Sequence, residues 1–144
     1  MEKKINDIIT KYRELSNTAR DNYRNVCSQE QEEISNVIDF KGKYLKILDY
    51  EKYVYIYVLE QYFTNDQERS KDFFIRLVGP GVTFYIDEDL KYLYGEFDEA
   101  FTQELNVRNI KSDLKNIEEI SREEFISECS KHFDAARRSF TKLL

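Results

Sequence analysis

From residue 2 to about residue 37 the chain contains no Gly or Pro, and Ile5, Ile8, Tyr12, Leu15 and Ala19 recur in steps of three and four, with Val26 and Ile34 continuing the stripe. That spacing places them on one helical face and predicts one long N-terminal helix over 1–38. From Ile5 to Ala19 the register is heptad-like, so the face is a candidate coiled-coil seam joining two copies, with a dimer favoured. The seam weakens beyond Ala19, where its places fall on Asn22 or Tyr23 and then on Gln29 or Glu30. A helix of this length is about 50 Å long. Since that exceeds the width of a small domain, the helix is expected to lie against a second copy, its own domain or a partner's helix.

At Phe40 the period changes to two. "FKGKYLKILDY" and "KYVYIYVLEQYF" read as two strands of a hairpin, turning near Asp49 to Lys52. In the second, Tyr53, Tyr55 and Tyr57 alternate with Val54, Ile56 and Val58, so one face is phenolic and the other aliphatic. Such a strand belongs in the middle of a sheet. The tyrosine row reads either as a packing layer beneath a helix or as an aromatic strip that binds a partner. After the polar loop "TNDQERSK", "DFFIRLV" reads as a third strand, "GPG" at 79–81 as a turn and "VTFYI" as a fourth strand. "LKYLYGEF" reads as a further strand, although Phe97, Phe101 and Leu105 also have helical spacing, which leaves residues 97–113 open. "LKNIEEI" completes the sheet. Ser121 and Glu124 fit a capping box, and Phe125, Cys129, Phe133, Ala136, Phe140 and Leu143 form one apolar stripe, predicting an amphipathic helix over 122–143 that packs on the sheet.

The fold predicted is therefore α+β: a coiled-coil-like helix over 1–38, then over 39–144 an antiparallel sheet or SH3-like barrel of about five strands with its C-terminal helix. At 144 residues the chain suffices for one domain with a core, and 15% aromatic residues beside 35% charged ones describe a well-filled interior under a solvated surface. No apolar run reaches bilayer length and "MEKKINDIITKYREL" has no signal core, so a cytoplasmic protein without membrane contact is expected.

The net charge of −6 is concentrated in the middle: residues 39–120 hold 11 basic and 17 acidic side chains. Asp87, Glu88, Asp89, Glu96, Asp98, Glu99 and Glu104 face Lys91 alone between positions 87 and 104. Such a surface repels phosphate, which disfavours nucleic acid and suits a basic protein surface. The chemistry of an enzyme is hard to assemble from what remains. His132 is the single histidine, Cys27 and Cys129 are far apart without a CxxC spacing, and no calcium-loop, phosphate-loop or dinucleotide motif occurs. No metal, cofactor or catalytic residue is expected.

The order of a polar first helix, the hairpin "GKYLKILDYEKYVYIYV", the segment "GPGVTFYI" and the helix start "EEISREEF" resembles, in layout and across most of the chain, small accessory proteins of bacteriophages and prophages. The resemblance implies a bacterial host cell and no catalytic residues. The resemblance implies action by binding, as proteins of that class often act, including on host defence or transcription machinery. The leading expectation is thus a non-enzymatic protein that self-associates through its first helix and binds a host or phage protein. Its candidate surfaces are Tyr53, Tyr55 and Tyr57 or the acidic stretch from Asp87 to Glu104. The alternatives are a binder of a signalling nucleotide, using Arg76 or Arg108, and a virion or assembly component.

Overall fold

The computed structural model describes residues 1–18, 23–66, 72–89 and 92–132. It is an α+β protein. Two helices, α1 (Glu2–Thr18) and α2 (Tyr23–Val37), precede strands β1 (Tyr44–Asp49), β2 (Lys52–Tyr57), β3 (Glu60–Asp66), β4 (Asp72–Ile86) and β5 (Tyr92–Asn106). A short 3-10 turn (Val107–Asn109), α3 (Ile110–Lys115), β6 (Ile117–Ile120) and α4 (Arg122–His132) follow. Six strands form one sheet in the order β3-β4-β2-β1-β6, with β5 also paired to β4, and the β1–β2, β1–β6 and β2–β4 pairings are antiparallel.

The single N-terminal helix is corrected to two. Lys11 Nζ lies 3.2 Å from Glu33 Oε1, whereas 22 residues of one straight helix would hold those positions about 33 Å apart. α2 therefore folds back on α1, and Tyr12 adds a side-chain hydrogen bond to the same Glu33 carboxylate. Lys11 first and Tyr12 second hold that carboxyl below its ordinary range. Ile5, Tyr12 and Ile34 become core residues of the chain itself. Burial of the stripe against a neighbouring helix stabilises it more than helix propensity alone would.

The Gly-Pro-Gly turn is also corrected, because Gly79, Pro80 and Gly81 lie inside the fifteen-residue strand β4. Here glycine serves close approach rather than turning. A Cβ at Gly79 would overlap the Tyr57 carbonyl oxygen, and one at Gly81 would sit 2.9 Å from Phe101 Cβ. The third and fourth strands are thus one. β5 settles residues 97–106 as strand, and the chain becomes helical only from Val107. The hairpin turn lies where expected, with Asp49 paired to Lys52, and Tyr50 takes the positive φ of 53° that a two-residue connection needs.

The chain divides into two compact units. The first comprises Met1–Asp39, Tyr62–Arg76 and Glu104–Ile110, so the helices share their unit with parts of three strands. Within it the Phe73 amide donates to Gln31 Oε1 at 3.0 Å, a buried glutamine satisfying a backbone group. The second unit comprises Phe40–Gln61, Leu77–Gln103 and Lys111–Leu144. Its sheet buries Leu45, Ile47, Val54 and Ile56 on one face. On the other face lie Tyr44, Tyr53, Tyr55, Tyr57, Val82 and Phe84. Ser121 starts α4 as expected, its Oγ accepting from the Glu124 amide at 3.0 Å. Of the α4 stripe, Phe125 and Cys129 are fully buried; Phe133, Ala136, Phe140 and Leu143 lie outside the described residues.

Candidate functional site

The tyrosine row is shaped by what covers it. Phe125 and Cys129 of α4 close over Tyr55, Val82, Phe84 and Ile120, with Tyr44, Tyr53 and Tyr57 at the margin of the cluster. Tyr44 stacks on Tyr57 at a centroid separation of 4.6 Å and meets Phe125 at 5.1 Å, while Tyr55 takes Phe84 edge-on at 5.5 Å. These are the geometries aromatic rings prefer. Lys46, opposite Tyr55 in the β1–β2 register, lays its ammonium 4.9 Å from the Tyr53 ring and 5.9 Å from that of Tyr55. Of the two readings the sequence leaves open, the packing layer describes Tyr55, which is only 5% exposed.

Burial has a chemical consequence for this cluster. It pushes the Cys129 thiol up to about 12, with the Glu128 carboxylate adding to the effect. Burial, then Glu128, also raises the Tyr55 phenol well above its ordinary range. The native state therefore retains protons that the unfolded chain releases above pH 9 from Cys129 and above pH 10 from Tyr55. Stability that is intact below pH 9 is then lost as pH rises toward 12, at no more than about 1.4 kcal/mol per pH unit for each group. Urea midpoints should fall progressively between pH 9 and 10.5, and Cys129→Ala should reduce the slope. A midpoint flat across that range would contradict it.

The carboxylates make the second surface, and all of those from Asp87 to Glu99 belong to the second unit. Glu88, Asp89, Glu96, Asp98 and Glu99 are exposed, and no ion pair to a described residue holds any of them. Glu104 differs, since Arg76 Nε lies 3.0 Å from its Oε2. Asp87 and Asp98 also order their own backbone, accepting from the amides of Asp89 and Ala100, each at 2.9 Å. The fold adds Glu51, which the sequence places only in a hairpin turn: its carbonyl accepts from the Ile86 amide at 2.9 Å, bringing its exposed side chain to the end of the sheet that carries Glu88 and Asp89. Glu88 and Asp89 follow the end of β4, whereas Glu96, Asp98 and Glu99 lie on β5. The acids fall into two groups along the chain, one at the turn and one on β5.

Ile5 and Tyr12 of the helical seam are buried within the chain, Ile8 is half-buried and Leu15 is exposed. Ala19, and the side chain of Val26, lie outside the described residues. Arg76 is engaged by Glu104, and Arg108 has an interaction of its own while its amide donates to Asn106 Oδ1 at 2.9 Å. Among the described residues no group of three or more His, Cys, Asp or Glu is arranged to hold a metal ion, and no helix is long and apolar enough to cross a membrane. No protein-family model, curated protein or solved structure matches this chain.

Proposed function

We propose that this is a non-enzymatic interaction protein whose acidic strand and turn dock a basic surface of a protein partner, in keeping with the resemblance to phage accessory proteins that act on host or phage proteins. The observation that carries the reading is the set of exposed carboxylates Glu88, Asp89, Glu96, Asp98 and Glu99, none held by a cation among the described residues. A protein keeps such like charges together at a cost in self-repulsion, and a complementary surface relieves it. Tyr55 supports the same choice, because it is enclosed in the cluster that Phe125 and Cys129 of α4 complete. A pull-down from bacterial host lysate, run with the native chain and with Glu88→Lys, Glu96→Lys and Glu99→Lys combined, tests the proposal. The native chain should retain a dominant protein that is lost on charge reversal and on raising the salt from 50 to about 300 mM. Retention indifferent to both changes would defeat it.

A further inference from the structure

The strand that bears the mid-sheet acids has an open side. β5 pairs with β4, and no other strand flanks it among the described residues. Every second residue of such an edge turns its N–H and C=O groups outward, ready to pair with another chain. Asp98, Glu99 and Ala100 are exposed in succession, so both faces as well as the edge are accessible there.

β5 also changes face within this stretch. Phe97 packs on the cluster of Tyr55, Val82 and Phe84, but Phe101 lies over Gly81, which neighbours Val82 and points the other way. Residues four apart in a regular strand share a face. The strand is therefore irregular between them, and within that stretch the Ala100 amide is taken by Asp98 Oδ1. An added strand would meet the edge on either side of that amide.

Charge decides what can pair there. An antiparallel second copy centred on this stretch would set Glu96, Asp98 and Glu99 against the same carboxylates, which destabilises a ladder. A strand bearing lysine or arginine meets opposite charge instead. We propose that β5 accepts an extended basic segment of a partner protein as an added strand, main chain pairing with the edge over residues 96–103 while its cationic side chains meet Glu96, Asp98 and Glu99. This rests on the interaction reading above and specifies its mode.

The test uses the full chain and a nine-residue peptide alternating lysine with valine or threonine. Two analogues are N-methylated at alternate positions, one in each phase, so that charge is unchanged and only the edge-facing amides differ. At 20 mM salt, titration calorimetry should show one analogue binding at least tenfold more weakly than the other. The parent peptide should slow amide exchange in residues 96–103, and Glu96→Lys with Glu99→Lys should weaken its binding at least tenfold without lowering the urea midpoint. Equal binding of both analogues would overturn strand addition and leave charge-driven docking standing. No binding of the parent peptide at millimolar concentration would overturn both, and the acids and the irregularity of β5 would then be guards against edge-to-edge association.

Discussion

Gly79→Ala is expected to leave the protein largely unfolded. The added methyl group would overlap the Tyr57 carbonyl oxygen and crowd the Tyr57 carbonyl carbon and the Leu59 amide nitrogen. All three are backbone atoms at the junction of β2 and β3, where the Leu59 amide also donates to the Val78 carbonyl at 2.9 Å, so relief requires separating paired strands. Overpacking a flexible core costs about 1–3 kcal/mol. A backbone collision should exceed that, at about 4 kcal/mol or more, a large part of the roughly 5–15 kcal/mol that holds a domain together. Gly42→Ala supplies the contrast. Its Cβ would meet nothing within 4 Å, and only the positive φ of 80° opposes it, at about 1–2 kcal/mol. Urea denaturation of both variants should show a small shift for Gly42→Ala and a lost or strongly shifted transition for Gly79→Ala. Equal midpoints would mean that 79–81 is a turn after all.

Phe125→Ala should cost about 3–5 kcal/mol. Phe125 is fully buried, meets Tyr44 at 5.1 Å and joins α4 to residues from four strands, namely Tyr44, Tyr55, Val82 with Phe84, and Ile120. The removed ring leaves a cavity that the sheet beneath is too rigid to fill. Phe125→Leu keeps most of the volume and should cost less than half as much. Equilibrium unfolding followed by tyrosine fluorescence reads both, and a loss below about 1 kcal/mol for the alanine variant would show that α4 does not hold the tyrosine layer.

The local elements were readable where one physical rule dominates. Alternation in "KYVYIYV" marked a strand with two apolar faces because side chains alternate about a strand whatever lies around it. The serine and glutamate at 121 and 124 marked the start of α4 because the unpaired amides of a first turn need an acceptor within reach of the chain itself. β6 and the β1–β2 turn followed similarly. The misreadings fall where two rules compete. Gly79, Pro80 and Gly81 have turn composition, and the sequence carries no sign that the Tyr57 backbone and the Phe101 ring occupy the space their missing side chains leave. The lack of Gly and Pro through residue 37 favoured one helix, although the apolar seam weakens at Asn22 or Tyr23.

The candidate site divides the same way. That the carboxylates between Asp87 and Glu99 form an acidic surface was legible, because ionised groups without buried partners stay in water. That Tyr55 is enclosed, that Glu51 joins the turn patch and that β5 has no second strand beside it among the described residues depended on pairings between residues far apart in the chain.

By itself, then, the sequence determined the periodicities, the helix start at Ser121, the hairpin at Asp49–Lys52 and the sign of the charge, all of which arise from interactions within a few residues. Only the tertiary structure decided that the first helix is two, that β4 runs through its glycines and that β5 pairs with β4 alone among the described residues. Those outcomes depend on which distant backbone or side chain occupies the neighbouring space.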